Sequence, residues 1–369
     1  MRAALPVSHS DRETFDMTRG YASPSASNDA ESRSLATPQT EVVRVPPGYF
    51  GAALGPSALA ALWLYAADHF GTPSVVGDLI AIVAAVLLIV LMALYVRQGA
   101  QRVLADFRDT ALGPFFATPV VSGLILGIIL WPHAEALGRV IVIVFLVMAV
   151  LVCGGLLGQW MAGGLTEEQY GPSILLPGAS MNGVAAQAAA TIGLHKVAVA
   201  FFGIEVVTWV LTSAVILGRL NFRPQLAASL LPTMAIELAV PANAGSAWFV
   251  MGHGADGLSM GIAAYLVIMV IVQARLLPLY LKLKFTPTFW SFTFPAISAV
   301  TLALRWIVLE HPAGAFAYAW ILIVLVTTFT AAIAVQSIRA IARGEILPGR
   351  HVMRVQPDGG CPPELIGAR

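Results

Sequence analysis

About ten runs of some 20 apolar residues, almost free of charge, constrain this chain more than any other feature, because a helix of that length matches the hydrocarbon thickness of a bilayer. They fall at about 47–69, 74–96, 113–131, 138–161, 172–193, 197–218, 227–251, 258–281, 286–308 and 315–340. In lipid every backbone N–H and C=O must pair within its own segment, so such runs read as helices. Composition argues against a water-soluble domain: 58% of residues are hydrophobic and 11% charged, against about 25% charged in a typical soluble domain. So few charges cannot coat a wetted surface over 369 residues.

Outside the runs the chain changes character. Residues 1–44 are polar, rich in Ser, Thr, Asp and Arg, and lack the apolar core of a signal peptide. They hold too little apolar surface to offset the entropy of ordering, and the Pro-, Gly- and Arg-containing stretch 343–369 reads the same way. The expected organisation is a disordered N-terminal tail (1–44), an all-α membrane domain of ten helices (45–342) and a C-terminal tail (343–369). A net charge of +1 argues neither for nucleic acid nor for an acidic partner, and no nucleic acid is expected. Cys153 lies in an apolar run and Cys361 in a polar tail, so neither a disulfide nor a metal site is implied, and no cofactor is expected.

Positive charge orients the spans. Arg97, Arg102 and Arg108 follow the second span, Arg219 and Arg223 the sixth, and Lys282 and Lys284 the eighth, and both tails carry arginines. The opposite loops hold little beyond Arg139 and Lys196. Both termini are therefore expected in the cytoplasm, in a multi-pass protein of a bacterial-type inner membrane.

One proline sits inside each odd-numbered span: Pro56, Pro119, Pro177, Pro241 and Pro295, at intervals of about 54–64 residues. Pro114, Pro172, Pro232 and Pro287 lie in first turns, where proline is tolerated. Five of the seven histidines keep the same beat, His69, His133, His195, His253 and His311, each near the far end of an odd span. That common period predicts five helical hairpins. Proline bends a membrane helix where the freed backbone groups are buried in protein or face a watery cavity. The odd spans also carry Gly51, Ser57, Ser122, Ser180, Asn182, Asn243, Ser246 and Thr293. The simplest architecture is a quasi-fivefold ring of bent odd helices around a central pore, with the even helices facing lipid. The histidines could form an outer ring that gains charge at acid pH and draws in anions.

No Lys or Arg lies near the interior prolines, so a permeating ion would meet neutral donors such as those hydroxyls and amides. Intramembrane charges are the exceptions: Glu205, Glu237, Arg275 and Arg305. Glu237, four residues before Pro241, is protonated, paired with an arginine, or a proton site coupled to transport. Arg275 and Arg305 are the inner-span cations that an organic dianion could use. A membrane-embedded enzyme would want clustered His, Asp or Glu within the spans, and no phosphate-binding glycine loop occurs, so a non-enzymatic role is expected.

Three segments carry a resemblance: Pro47-Gly48-Tyr49-Phe50-Gly51, the stretch Pro232-Thr233-Met234-Ala235-Ile236-Glu237-Leu238-Ala239-Val240-Pro241, and Phe289-Trp290-Ser291-Phe292-Thr293-Phe294-Pro295. They resemble the tellurite-resistance/dicarboxylate transporter family, which takes in bacterial tellurite-resistance proteins, fungal malic acid permeases and plant guard-cell slow anion channels. The resemblance implies ten helices around a pore, a homotrimer with one pore per protomer, and the last aromatic of Trp-x-Phe-x-Phe, here Phe294, as the plug. It directly precedes Pro295, at the kink of the ninth span. The expected function is passage of small anions, inorganic or C4-dicarboxylate, past an aromatic gate. The alternative is a proton-coupled carrier for dicarboxylates such as malate, or for sulfite.

Overall fold

A computed structural model describes residues 45–163, 166 and 170–344. The tail expected at 1–44 lies outside the described residues, as does all but the start of the one at 343–369.

All regular structure among the described residues is helical. In chain order the α-helices are α1 (Gly51–Phe70), α2 (Ser74–Val96), α3 (Ala100–Arg108), α4 (Ala117–Leu130), α5 (Glu135–Met161), α6 (Met181–Thr191), α7 (His195–Phe222), α8 (Ile236–Val250), α9 (Gly257–Tyr280), α10 (Thr293–Glu310) and α11 (Ala315–Ala342). Among the described residues, eight helical segments are long and apolar enough to cross a membrane, and the chain is a multi-pass membrane protein. The other two expected spans, 172–193 and 227–251, are built from shorter pieces. A 3-10 turn (Pro172–Ile174) and a π turn (Leu176–Ser180) precede the 11 residues of α6, and a 3-10 turn (Leu231–Ala235) precedes the 15 of α8. Asn182 and Gln187 in one, and Glu237 and Asn243 in the other, lower their hydropathy.

The prolines explain the broken starts. A proline lacks the N–H that would bond the carbonyl four residues back, and its ring crowds that carbonyl. Each span with a proline in its first half is accordingly entered through tighter or looser turns: Pro47–Phe50 before α1, Gly113–Phe116 before α4, the two turns before α6, Leu231–Ala235 before α8, and Pro287–Phe292 before α10; Pro278 lies near the end of α9. Side chains take up exposed carbonyls. Thr118 Oγ1 donates to the Phe115 carbonyl, four residues before Pro119, at 2.6 Å. Asn182 Nδ2 donates to the carbonyls of Pro177 and Gly178 across the π turn.

Packing divides the helices into two sets. The helices of the five proline-bearing spans, α1, α4, α6 (whose Pro177 lies in the π turn before it), α8 and α10, touch one another in that order, and α10 returns to touch α1. Each also packs on the long helix that follows it: α2, α5, α7, α9 and α11 respectively. Those followers are the more apolar set, and they carry most of the exposed large side chains, such as Ile89, Leu151, Leu211, Ile271 and Leu325. An apolar helix with its hydrophobic face turned outward is stable against lipid and not against water. Small residues let the two sets close: a Cβ on Gly127 of α4 would come within 2.8 Å of Val142 of α5, and one on Gly183 of α6 would run into the Glu205 carboxyl of α7.

Candidate functional site

Two cavities lie among the proline-bearing helices, and Phe294 is the one side chain that lines both. The larger, about 450 Å³, lies toward the C-terminal ends of these helices. All five contribute to it, through Tyr65 of α1, Ile125 of α4, Gln187 of α6, Ser246 of α8, and Ile297 of α10. It reaches the exposed residues Asp68 and His133. The smaller, about 20 Å³, lies among the entering turns, lined by Gly51, Thr118, Leu176, Ile236 and Trp290 among others. Phe294 is 4% exposed and borders both.

Local structure holds that ring in place. Phe294 is the second residue of α10, just past the 3-10 turn and just before Pro295. Thr293 Oγ1 donates to the Trp290 carbonyl at 2.8 Å, and Trp290 Nε1 donates to Ser337 Oγ of α11 at 2.9 Å. Gly51 lies against Trp290, where a Cβ would meet the tryptophan's own Cβ at 3.0 Å.

The residues singled out in the sequence separate into groups. Phe294, Asn243 and Ser246 line the larger cavity; Phe294, Gly51 and Pro295 line the smaller. Pro56, Ser57, Pro119, Ser122, Pro177, Ser180, Asn182, Pro241 and Thr293 line neither and are packed between helices. Several hydroxyls are committed to backbone: Ser57 donates to the Ala53 carbonyl and Ser122 to that of Thr118. Asn243 Nδ2 donates to Ser180 Oγ at 3.1 Å. Ser246 and Ser298 are different: neither hydroxyl has a hydrogen-bond partner among the described residues, and both line the larger cavity.

The intramembrane charges fall in four distinct settings. Glu237 lines a mostly apolar groove of about 610 Å³ among α7, α8 and α9, away from both cavities, and Ser213 Oγ donates to it at 3.3 Å. Glu205 of α7 is fully buried against Gly183, with neither carboxyl oxygen hydrogen-bonded. Arg275 is exposed on α9. Arg305 lines the larger cavity, its guanidinium 4.7 Å from the centre of the Tyr65 ring.

The histidines cluster by position in the chain, near the C-terminal ends of the proline-bearing helices. His69 stacks on Tyr65, with centroids 4.3 Å apart, and His253 on Trp248, 3.7 Å apart. Trp248 Nε1 donates to Asp256, which caps α9 in a reciprocal pair with Ser259. The backbone N–H of Ser259 holds the Asp256 carboxyl below the usual carboxylate range. Among the described residues no group of three or more His, Cys, Asp or Glu is placed to hold a metal ion.

A family profile described as voltage-dependent anion channel (SLAC1) matches residues 44–338. The chain belongs to the SLAC1 family. The match takes in both cavities and the spans up to residue 338, within α11, and bears out the resemblance read from the sequence motifs. Among relatives, the chain is similar to a tellurite resistance protein TehA homolog of Haemophilus influenzae, at 26% identity over 272 residues, 72% of this chain and 82% of that one. It is also similar to the guard cell S-type anion channel SLAC1 of Arabidopsis thaliana, at 25% identity over 285 residues, 72% of this chain and 50% of the plant protein. Sequence reasoning named Arg305 among the intramembrane cations and missed Ser298 and Thr301, yet a signal was present. Phe294, Ser298, Thr301 and Arg305 follow at steps of four, three and four, the spacing of one helix face.

Proposed function

We propose that this SLAC1-family protein conducts small anions along the axis enclosed by α1, α4, α6, α8 and α10, with Phe294 as the constriction. The observation that carries this is that Phe294 alone borders both cavities, so removing its ring would join them. The cyclic contacts of the five proline-bearing helices support a quasi-fivefold ring of hairpins, ten helices in all. The outward apolar faces of the followers support a lipid-facing outer layer, and a homotrimer with one passage per protomer is the assembly proposed with it.

Electrostatics favour an anion at the narrow end. Gly51, Ala117, Met181, Ile236 and Thr293 begin the five helices, and the smaller cavity lies among those starts. Each N-terminus carries a partial positive charge of roughly half an electron from unpaired N–H groups and aligned peptide dipoles. That potential draws an anion without a fixed side-chain charge to trap it, as conduction requires. The basic loops Arg97–Arg108, Arg219–Arg223 and Lys282–Lys284 connect to this same end, which we assign to the cytoplasm of a bacterial-type cell.

Purified protein in planar bilayers tests the reading: Phe294→Ala should raise anion conductance by about tenfold or more, since a dry aromatic plug excludes hydrated ions. Unchanged current from a folded Phe294→Ala protein would remove Phe294 as the gate. The alternative, a proton-coupled carrier for malate-like dicarboxylates or sulfite, needs a titrating group within reach of the passage; Glu237 lines neither cavity, and Asp68, Asp78 and His133 of the larger one are the candidates. Uphill anion uptake into proteoliposomes driven by a pH gradient alone would favour the carrier.

A further inference from the structure

Arg305 is a cation without a counter-ion. It lies on α10, and none of its N–H groups has a hydrogen-bond partner among the described residues; its Nε is also buried. The one ion pair between described side chains is Arg102–Asp106, on the far side of the chain's topology, so no carboxylate stands within 4.0 Å of the Arg305 guanidinium. An uncompensated guanidinium in a membrane protein is costly and stays charged at any relevant pH. Tyr65 offsets part of that cost through its ring face, 4.7 Å away. Stacking on a ring uses the flat face of the guanidinium and leaves its in-plane N–H edges for another ligand.

The position fits recognition of a passing ion. Arg305 is 11 residues after Phe294 on the same helix face, about 16 Å of helical rise further toward the mouth. Ser298 and Thr301 lie between them on that face, and Ser246 lies across the cavity on α8. Ser246 and Ser298 hold unspent hydroxyl donors.

We propose that the larger cavity is an anion-recognition site in which Arg305, held by Tyr65, binds a monovalent oxyanion through two oxygens, before that ion reaches Phe294. The ligand class follows from geometry and charge. A guanidinium edge offers two parallel N–H donors that match nitrate or a carboxylate and cannot both be used well by a spherical halide. The site has one fixed positive charge, and Asp68 and Asp78 line the same cavity. A dianion would set its second charge against those carboxylates, so a monoanion is preferred over a C4-dicarboxylate. His133 also lines this cavity, and a single ring nitrogen offers no two-donor edge.

This inference rests on the proposed passage but can be separated from it. In planar bilayers, the nitrate-to-chloride permeability ratio of the Phe294→Ala protein is compared with and without Arg305→Gln or Arg305→Lys. The ratio should fall roughly fivefold or more in both, because lysine keeps the charge and loses the fork. In detergent, thermal unfolding is followed in sodium formate, nitrate, chloride and succinate at equal ionic strength. Formate and nitrate should raise the Tm of the native protein above its value in chloride, succinate should not, and Arg305→Gln should abolish the difference. Arg305→Lys, which keeps charge and bulk, carries both arms if Arg305→Gln does not fold. Absent currents with the formate and nitrate effect intact would overturn the channel reading and leave the site standing. Currents whose selectivity ignores Arg305, or a larger stabilisation by succinate than by formate, would overturn the site and leave the channel.

Discussion

The two cavities on either side of Phe294 differ in how each meets an anion. The narrow one has backbone: five helix starts, two glycines, and threonine and aromatic side chains, with no ionisable group in its lining. The wide one has side chains: a guanidinium, free hydroxyls, two amides, and two carboxylates and a histidine toward its mouth. Helix dipoles are diffuse and tolerate any small anion, whereas a guanidinium fork discriminates by shape. On the proposed reading, conduction belongs to one side of the phenylalanine and choice to the other.

The largest effect that sharpens this contrast is the loss of the divider itself. Phe294→Ala merges the cavities, and Phe294→Leu, which leaves a smaller apolar plug, should give a conductance between those of alanine and phenylalanine in single-channel recordings. If leucine conducts as freely as alanine, side-chain size is not what closes the passage. Next in size is the packing that brings α6 to the cavities. Gly183→Val should cost about 1–3 kcal/mol of stability through overpacking against Glu205. Unfolding of the double variant with Glu205→Ala tests the assignment, because the two changes should be non-additive if they share that contact. Smaller again is Thr118→Val in the narrow cavity. It frees the Phe115 carbonyl, whose oxygen repels an anion, and should lower conductance about twofold in a Phe294→Ala background. A rise would mean that the carbonyl faces away from the ion. The smallest effect concerns the loop beyond the wide cavity. The Asp256 carboxyl is held below the usual range by the Ser259 backbone N–H, so its cap is fully present above the ordinary carboxylate pKa and is lost as pH falls through the lowered folded value. Asp256→Asn should lower Tm slightly at neutral pH and remove that acid-side loss.

Much of the fold was legible because hydropathy and proline placement are local. The apolar followers announce themselves over more than 20 residues each, and eight spans satisfy length and hydropathy together. The two others are the most interrupted by polar side chains, and their helical starts are broken because the prolines remove backbone bonds. The site was less legible. Serines in the proline-bearing spans look alike in sequence, yet Ser57 and Ser122 donate to their own helix while Ser246 and Ser298 do not. A hydroxyl four residues past a carbonyl can always turn back to it, so spacing alone cannot say which donors stay free. Glu237 shows the same limit: its place near Pro241 suggests the passage, and the rotation of α8 turns it toward α7 and α9 instead.

By itself the sequence determined that this chain lies in a membrane, where its helices run, where they bend, and which family motifs it carries, because each depends on neighbours within a few turns. Only the tertiary structure decided which bent helices meet, that Phe294 stands between two cavities, and that Arg305 faces one of them over Tyr65 with no counter-ion. Those facts depend on the rotation of helices far apart in the chain, and a rotation of one residue, about 100° on a helix, carries a side chain from the cavity wall to lipid.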